Sequence, residues 1–526
     1  MKILTAAEMR LVDWLTSEQG RVPSLTLMEN AGKSVAEFIR SRFPSFTERH
    51  IIVLCGKGNN GGDGFVAARY LQKLGAKPSV YLIADPREVK GDAATNMNRW
   101  KKLSKRFYVV RAASKAGWMP LAPGVIIVDA MLGTGARRPV EGRLRESIIS
   151  VNQHDPGCCV VSIDIPSGLH VDTGEVQGAA IVADYTVTFT APKPGLFLGD
   201  GPRHVGNLAV RQIGSPPALV EETGKGKIRW SGADEFKDFA VPRKPDGHKG
   251  DYGHALIVAG SVGKSGAAVL ASWAALRVGA GLVTVATPEP VLPIVAAHTP
   301  EIMTEPLPAT DSGSISLERL GSDRWDAIVK GKRALAIGPG LSTHSDTQQF
   351  IRKVVGNRSI PIILDADGLN AFAGRAGELK SSKGMVALTP HPGEMARLLG
   401  GTTEAVQAWR VELAVKAATD WNACVILKGH QTVIAAPDGN VWINSTGNPG
   451  MGTGGTGDVL TGIFAGLTAQ YGTKSWSLVL AFAVYLHGLA GDIAAAEVGE
   501  APLIASDLIR AIPRAFQQFY AECGRV

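Results

Sequence analysis

The chain has 526 residues, of which 45% are hydrophobic, and 55 basic against 48 acidic residues give it a formal net charge of +7. This length exceeds what one hydrophobic core usually supports, so we expect a globular protein of at least two domains. The basic residues form no dense stripe and no aromatic platform accompanies them, which argues against nucleic-acid binding. A mild positive excess does suit small molecules that carry phosphate.

The chain shows no mark of secretion or of a membrane. Its N-terminus contains Glu8 and Asp13 and lacks the continuous apolar run of a signal peptide. The apolar segment 478–491 is short and is interrupted by His487, which predicts a buried helix rather than a membrane span. The five cysteines form no CxxC pair and no cluster with histidine, which indicates a reduced, cytoplasmic protein without a zinc site.

The predicted elements alternate between short apolar strands and amphipathic helices, which is typical of parallel α/β sheets. Two helices, at 6–17 and 25–41, precede strands at 51–55, 79–83, 125–129, 159–164 and 185–190. The pattern restarts with strands at 254–259, 282–286, 334–337, 362–365, 386–388 and 424–428. Proline and charged residues between the two sets predict domains at 1–215 and 231–526, joined by a linker at 216–230.

The first glycine-rich loop runs from Gly56 to Gly64 and satisfies the dinucleotide-binding pattern GxGxxG, with Asp85 near the position of a ribose-binding acid. This pattern alone would predict a Rossmann redox domain. However, Asp63 places a carboxylate where a pyrophosphate should bind. Asn59 and Asn60 supply amide oxygens, which suit a monovalent cation or a nicotinamide amide.

Two further strands end in aspartate followed by small residues, at Asp129 and at Asp164. Either aspartate could simply cap a helix. However, ligands of parallel sheets bind beyond the carboxyl ends of the strands, where all three loops would meet. Together they would provide oxygen ligands and a carboxylate for acid–base chemistry.

With the segment 191–196, these loops resemble the NAD(P)H-hydrate epimerase family over about residues 1–215, which implies a Rossmann-like three-layer α/β/α fold. The resemblance implies potassium ligands at Asn60, Asp129 and Ser167, and an acid–base role for Asp164. It also implies hydrate-binding residues at Asn59, Asn60, Gly61, Gly62, Asp63, Gly133, Thr134, Gly135, Ala136, Arg137, Arg138, Pro139 and Asp164.

The second half contains the glycine-rich run 448–458, which ends in Asp458 and precedes an apolar helical pattern. Glycines let backbone N–H groups converge on an anion, and the following helix adds the positive end of its dipole. A carboxylate in such a loop indicates a base that accepts a hydroxyl proton during phosphoryl transfer. A phosphate-binding P-loop at Gly263-Lys264-Ser265 is excluded, because Val258 stands where its first glycine is required.

Four other segments follow predicted strands: 338–342, 365–369, 389–394, and the tight turn 428–432 that leads into another strand. His391 could cap the following helix, and Lys428 could be an ordinary surface lysine. Together with the run 448–458, these segments resemble the ribokinase-like superfamily over about residues 230–526, and most closely its NAD(P)H-hydrate dehydratase branch.

That resemblance implies a hydrate-binding group made of Ala267, Gly340, His391 and Asp458, with Asp458 as the catalytic base. It implies nucleotide-binding residues at Lys428, Gly429, His430, Gln431, Thr432, Gly450, Gly452, Gly454, Gly455, Thr456 and Gly457. Mg²⁺ is expected with the nucleotide. The sequence does not distinguish between ADP and ATP as that nucleotide.

The two halves together predict a bifunctional enzyme for hydrated NADH and NADPH, with small-molecule substrates, no nucleic-acid or membrane partner, and a homo-oligomeric state. The first half would interconvert the R and S epimers of the hydrate, and the second would dehydrate the S form. One alternative is a kinase for a small alcohol fused to a binding module. Another is a non-catalytic dinucleotide sensor.

Overall fold

The computed structural model describes residues 1–18, 22–110, 123–135, 139–153, 157–357, 360–380, 385–473 and 475–525. The chain divides into two compact units, Met1–Gly226 and Lys227–Val526. Each unit is built around a mainly or wholly parallel sheet. The predicted α/β class is therefore confirmed.

The first unit has a seven-stranded sheet in the order β3-β2-β1-β4-β5-β6-β7, and every neighbouring pair is parallel. Its strands are β1 (Ile51–Cys55), β2 (Ser79–Leu82), β3 (Phe107–Val109), β4 (Ile126–Ala130), β5 (Cys159–Ile163), β6 (Tyr185–Phe189) and β7 (Asn207–Arg211). Its α-helices are α1 (Ala6–Glu18), α2 (Ser24–Arg42), α3 (Asn59–Lys73), α4 (Gly91–Leu103), α5 (Gly142–Asn152), α6 (Gly201–His204) and α7 (Pro217–Thr223).

Apolar side chains cover both faces of this sheet. In β1, Ile51 and Val53 belong to one buried cluster, whereas Ile52 and Leu54 belong to another on the opposite face. Successive residues of a strand point to opposite sides, so a continuous apolar strand requires helices on both faces. This burial produces the three-layer α/β/α arrangement.

The second unit has a ten-stranded sheet in the order β11-β10-β9-β12-β13-β14-β15-β16-β17-β8, in which only the β15–β16 and β16–β17 pairs are antiparallel. Its strands are β8 (Ile228–Trp230), β9 (His254–Val258), β10 (Leu282–Pro288), β11 (Met303–Leu307), β12 (Ala334–Ile337), β13 (Ile362–Leu364), β14 (Val386–Leu388), β15 (Cys424–Leu427), β16 (Val433–Ala435) and β17 (Val441–Ile443). Its α-helices are α8 (Ser265–Arg277), α9 (Leu292–His298), α10 (Ser322–Val329), α11 (Ser345–Gly356), α12 (Asp367–Asn370), α13 (Pro392–Leu399), α14 (Thr403–Ala408), α15 (Arg410–Trp421), α16 (Thr456–Tyr471), α17 (Trp476–Val498) and α18 (Ala505–Glu522).

Helix α17 forms much of the core of the second unit. It is long and apolar enough to cross a membrane by length and composition, but 78% of its most apolar window is buried inside the protein. Phe482 and Leu486 within it are fully buried. The apolar segment 478–491 is therefore a core helix, as its sequence predicted.

The predicted strands match β1, β2, β4, β5 and β6, and β9, β10 and β12–β15, to within two residues at each end. Five strands were missed: β3, β7, β8 and β11 are the edges of the two sheets, and the buried three-residue β17 lies between β16 and β8. Edge strands have a neighbour on one side only and lack the continuous apolar run that marks a central strand, since β7 for example is largely half-exposed. Residues 216–230, expected from their composition to be a linker, contain α7 and β8, and β8 pairs with β17.

Two candidate active sites

The first candidate site lies at the carboxyl ends of β1 and β4, where the strand order of the first sheet reverses. Open parallel sheets bind ligands at such a switch point. A cleft of about 710 Å³ opens there. It is lined by residues that follow β1, β4, β5 and β6, together with residues of α1 and α2.

The three predicted potassium ligands are brought together at the floor of this edge. Asp129 and Ser167 are fully buried, and Asn60 is 7% exposed. Ser167 Oγ donates to Asp129 Oδ1 at 2.5 Å, and its backbone N–H donates to Asp129 Oδ2 at 2.9 Å. The backbone of Leu132 links Ser167 to Asn60. Its N–H donates to Ser167 Oγ at 2.8 Å, and its carbonyl accepts from Asn60 Nδ2 at 2.7 Å. Asn60 Oδ1 is buried and has no hydrogen-bond partner among the described residues.

Asp164 occupies the next strand end in a strained conformation. Its φ of 69° places a non-glycine residue in the left-handed region, which is a recurrent property of functional sites. The buried ammonium of Lys193, 1% exposed, lies 2.6 Å from Asp164 Oδ1 and 2.8 Å from Thr188 Oγ1. The backbone N–H of Thr134 donates to Asp164 Oδ2 at 3.3 Å. The carboxyl group of Asp164 is therefore held in a fixed orientation at the edge of the cleft.

Most of the predicted hydrate-binding residues in the described chain line this cleft: Asn59, Asn60, Asp63, Gly133, Thr134, Gly135 and Asp164. Gly61 shapes the loop, because a Cβ there would lie 2.0 Å from the carbonyl oxygen of Gly56. Gly62 is buried beside Met28, and Pro139 is exposed and does not line the cleft. The predicted residues Ala136, Arg137 and Arg138 lie outside the described residues.

The dinucleotide interpretation of the first loop does not fit the surroundings of its two acids. Asp85 caps a short 3₁₀ helix, where its Oδ1 accepts from the N–H of Arg87 at 2.9 Å, and it does not line the cleft. Asp63 does line the cleft. Burial and the charges of Asp164 and Asp13 raise the pKa of Asp63 well above its ordinary value.

The second candidate site lies at the corresponding switch point of the ten-stranded sheet, between β9 and β12. The turns after these strands are joined, because the N–H of Gly260 donates to the carbonyl of Pro339 at 2.8 Å and Ser261 Oγ donates to that of Gly340 at 2.7 Å. Gly340 has a φ of 64°, and a Cβ on it would lie 3.1 Å from that of Ala267. Two of the predicted hydrate-binding residues are thus adjacent.

The glycine-rich run forms an ordered loop in front of α16. Asn448 Oδ1 accepts from the N–H of Gly450 at 3.1 Å, and Asn448 Nδ2 donates to Asp492 at 2.9 Å. Thr456 Oγ1 donates to the carbonyl of Met451 at 3.0 Å and so closes the loop onto the helix. The predicted nucleotide-binding residues of this loop are Gly450, Gly452, Gly454, Gly455, Thr456 and Gly457. The first N–H groups of a helix have no intrahelical partner, so this end of α16 can bind an anion.

Lys428 lies under this loop and is an internal ion-pair residue rather than a surface lysine. Its Nζ is 2.7 Å from Asp365 Oδ1 and 3.8 Å from Glu394 Oε2, and its side chain is 19% exposed. Asp365, 2% exposed, also accepts from Thr389 Oγ1 at 2.7 Å and Thr461 Oγ1 at 2.8 Å. Burial alone would raise the pKa of Asp365, but Lys428 and the hydrogen bonds lower it below the ordinary value.

Asp458 stands in the first turn of α16, next to this ion pair. A Cβ on Gly457 would lie 3.6 Å from Lys428 Nζ and 4.0 Å from Asp365 Oδ2, so the helix start faces the pair directly. Burial and the negative charge of Asp365 raise the pKa of Asp458 to about 6, although Lys428 opposes the shift. A carboxyl with this pKa is a suitable general base near neutral pH.

His391 caps α13, as one interpretation of its sequence proposed. Its Nδ1 accepts from the N–H groups of Gly393 at 3.1 Å and Glu394 at 3.4 Å, and Glu394 Oε2 accepts from the N–H of His391 at 2.8 Å. Burial lowers the pKa of His391, which favours the neutral ring. Since Nδ1 is the acceptor, the proton of the neutral ring is on Nε2. The side chain is 52% exposed, and its Nε2, which the cap does not use, lies 3.5 Å from Glu394 Oε1.

The predicted turn 428–432 joins β15 to β16 as an antiparallel hairpin. Gly429 has a φ of 136°, and Thr432 Oγ1 donates to its carbonyl at 3.0 Å. Gln431 is left-handed with a φ of 53°, and His430 lies beside it. Arg410, which sequence reasoning missed, holds the start of the turn: its Nη2 donates to the carbonyls of Leu427 at 3.0 Å and Lys428 at 3.3 Å.

Sequence reasoning also left Lys193, Asp365 and Glu394 without a site role, although each belongs to a segment that it singled out. The signal was a charged residue inside an apolar, glycine- or proline-rich segment directly after a strand. Such a residue reaches the edge of the sheet where the ligand-binding loops meet. Arg410 carried no comparable signal, because it begins an ordinary amphipathic helix.

Comparisons with known proteins agree with this division of the chain. A family model described as NAD(P)H-hydrate dehydratase matches residues 255–514, and one described as YjeF-related protein N-terminus matches residues 24–195. A crystal structure of the ADP/ATP-dependent NAD(P)H-hydrate dehydratase from Bacillus subtilis is 35% identical and covers 54% of this chain and 97% of its own, with a TM-score of 0.45.

Several relatives align with this chain along both of its units. The bifunctional NAD(P)H-hydrate repair enzyme Nnr of Moorella thermoacetica is 43% identical over 516 residues, which cover 98% of this chain and 96% of its own. The protein of the same name in Thermofilum pendens is 40% identical over 520 residues, with coverage of 98% and 96%. These matches do not favour an alcohol kinase or a non-catalytic sensor. The chain belongs to the family of bifunctional NAD(P)H-hydrate repair enzymes.

Proposed function

We propose that the first unit interconverts the R and S epimers of hydrated NADH and NADPH, and that the second dehydrates the S epimer at the expense of ADP or ATP. The observation that carries this proposal is the carboxyl of Asp458 at the start of α16, beside the Lys428–Asp365 pair. A loop that only bound phosphate would gain nothing from a carboxylate there. Phosphoryl transfer to a hydroxyl requires a base at that place.

In the dehydratase, Asp458 takes the proton of the ring hydroxyl while the hydroxyl oxygen attacks the terminal phosphate of the nucleotide. The phosphoanhydride bond to that phosphate breaks with its electron pair on the departing oxygen, so AMP leaves from ADP or ADP leaves from ATP. This step converts a poor leaving group into a phosphate ester. Phosphate then leaves with the C–O electron pair, the ring nitrogen lone pair assists, and loss of a proton from the neighbouring carbon restores the double bond. The N–H groups of the loop 450–457 stabilise the phosphate charge, and the turn 428–432 contacts the nucleotide.

The same geometry orients the hydrate in the second unit. The ring would lie between the turns of Ala267 and Gly340 on one side and His391 on the other, with Asp458 next to the hydroxyl. His391 would donate from Nε2, because its Nδ1 already caps α13. This arrangement accounts for the selection of one epimer, since inversion would turn the hydroxyl away from Asp458.

In the epimerase, Asp164 is the acid–base group. Lys193, at 2.6 Å, fixes the orientation of its carboxyl group. The loops 59–63 and 133–135 bind the hydrate, because they line the cleft around Asp164. Hydration produces two epimers, so a dehydratase that accepts one of them needs this second activity to recover the other.

Potassium would be held in the first unit by Asn60, Asp129 and Ser167. Asn60 Oδ1 is buried without a partner, and burial raises the pKa of Asp129, which has hydrogen bonds but no ion-pair partner among the described residues. Both oxygens suit a hard monovalent cation, so the residues fit the ion. When bound, potassium would neutralise Asp129 beside the loop that carries Asp164. Mg²⁺ would accompany the nucleotide in the second unit, where Asp365 and Glu394 are the neighbouring carboxylates.

Two properties expected from the sequence, a homo-oligomeric state and a cytoplasmic location, also belong to this proposal. The five cysteines support the second, because all of them are free.

The two activities are tested with separated epimers of hydrated NADH. Given the S epimer and ADP or ATP, the protein should restore the absorbance of the reduced nicotinamide, and Asp458→Asn should abolish this recovery while nucleotide binding persists. Given the mixed epimers, the wild type should consume both, whereas Asp164→Asn should consume only S beyond the spontaneous rate. Normal turnover by Asp458→Asn, or consumption of both epimers by Asp164→Asn, would contradict the assigned roles.

A further inference from the structure

Helix α1 places a carboxyl in the epimerase cleft that neither the motifs nor the matched family model includes. Asp13 lines the cleft together with Asp63, Asp164 and Lys193. Its Oδ1 is buried and has no hydrogen-bond partner among the described residues. The matched family model begins at residue 24, after α1 has ended. A buried oxygen without a partner is costly unless the group has a function.

The position of Asp13 is set by the anchoring of α1 to the rest of the unit. The N–H of Leu4 donates to the carbonyl of Pro192 at 2.9 Å, one residue before Lys193. The N–H of Ala6 donates to Asp172 Oδ1 at 2.7 Å. Val12 is fully buried and packs in one cluster with Ala191. Helix α1 is therefore attached to the segment that carries Lys193. These contacts fix the position of Asp13 in the cleft, so its unpartnered Oδ1 does not result from a loosely attached N-terminal helix.

The charges around Asp13 are unbalanced. The buried ammonium of Lys193 forms an ion pair with Asp164. The carboxyls of Asp13 and Asp63 line the same cleft and have no ion-pair partner among the described residues. Burial, with a smaller contribution from the charge of Asp164, raises the pKa of Asp13 to about 6, although Lys193 opposes the shift. The charged residues that line the cleft are Arg10, Asp13, Lys57, Asp63, Glu88, Asp92, Glu141, Arg143, Asp164 and Lys193. Two carboxyls with different environments in one cleft can divide the roles of acid and base.

We propose that Asp13 is the proton donor of the epimerase, acting together with Asp164 in the same cleft, and this inference rests on the proposed epimerase function. The protonated carboxyl of Asp13 gives its proton to the ring hydroxyl, the C–O bond breaks with its electron pair on oxygen, and the ring nitrogen lone pair forms a C=N bond. Water leaves. A second water adds to the other face of the same carbon, the C=N pair returns to nitrogen, and Asp164 accepts the proton released by that water.

This step exchanges one oxygen for another at each inversion and leaves Asp13 ionised and Asp164 protonated. Proton exchange with solvent, or the reverse reaction, restores the starting state. Atoms and charges balance without an oxidant or a nucleotide. Two measurable properties follow, namely incorporation of solvent oxygen at each inversion and a rate that falls as pH rises through the pKa of Asp13.

The test uses the full chain, the pure R epimer of hydrated NADH, no nucleotide, and water enriched in ¹⁸O. The wild type should form the S epimer with one solvent oxygen per inversion and lose rate toward alkaline pH. Asp13→Asn should be slower by about 100-fold or more, the usual effect of removing a general acid, and should lose the alkaline limb. Asp13→Glu should keep that limb. Glu18→Gln, which removes a charge from an exposed residue of the same helix outside the cleft, should resemble the wild type.

The outcomes separate this inference from the proposed function. A wild type that does not interconvert the epimers faster than solvent would overturn the epimerase function itself. An active wild type together with an Asp13→Asn variant of equal rate and unchanged pH profile would overturn the role of Asp13 alone. Inversion without solvent oxygen would do the same. Melting of the variant and its consumption of the S epimer with nucleotide verify that both units remain folded.

Discussion

Lys428→Met removes the cation that Asp365 contacts while it keeps much of the length of the side chain. Asp365 is 2% exposed and would retain hydrogen bonds only from Thr389 and Thr461 among the partners described above. Breaking a buried ion pair from one side costs about 3–5 kcal/mol, because the remaining charge stays buried without compensation. At about 2 °C per kcal/mol for a unit of this size, the melting temperature of the second unit should fall by roughly 6–10 °C.

The pH dependence of this loss has a defined sign. The folded-state pKa of Asp365 is below its ordinary value, so the stabilisation is present above the unfolded-state pKa and is lost as pH falls through the folded-state pKa. The difference between the wild type and Lys428→Met should therefore be largest near neutral pH and should shrink in acid. Calorimetry at several pH values measures it, with nucleotide added to identify the transition of the second unit.

Lys416→Met is the matched control, because Lys416 pairs with Asp420 at the surface, where their side chains are 66% and 51% exposed. Such a pair contributes about 0–1 kcal/mol. The double variant Asp365→Asn/Lys428→Met, which removes both charges, should recover part of the loss. Equal effects of Lys428→Met and Lys416→Met would refute the conclusion that Lys428 compensates a buried charge.

Three further predictions concern single residues. The dehydratase kcat should rise with pH through about 6, because the pKa of Asp458 is raised to about 6 and its ionised form is the base; a flat profile between about pH 5 and 7 would exclude it. Gly56→Ala should destabilise the first unit by several kcal/mol in denaturant unfolding, because the added Cβ would lie 1.8 Å from the carbonyl oxygen of Met131. The control Gly58→Ala should be tolerated, because a Cβ at position 58 would meet no atom within 4 Å. Replacing choline chloride by potassium chloride should raise the melting temperature of the first unit in the wild type but not in Asn60→Ala, and an equal rise in both would argue against the ion site.

The central strands and their terminal loops could be predicted because a parallel strand buried on both faces is an uninterrupted apolar run. Polar residues directly after such a run, such as Asn60 and Asp164, must lie at the ligand-binding edge. The edge strands β3, β7, β8 and β11 escaped prediction because they are half exposed. Lys193 and Asp365 were visible as charges in the right segments, but nothing local showed that each would be an internal ion-pair partner of a site residue.

The sequence by itself determined the division into two α/β domains, the glycine-rich loops, and the positions of Asp164 and Asp458 directly after strands or loops. These features depend on local pattern and spacing. Only the tertiary structure decided which charges meet. Lys428 lies 63 residues from Asp365, and Asp13 reaches the cleft of Asp164 from a separate helix. Such contacts follow from strand order and helix packing, and burial together with the neighbouring charges determines whether the pKa of a carboxyl is raised, as in Asp13, or lowered, as in Asp365.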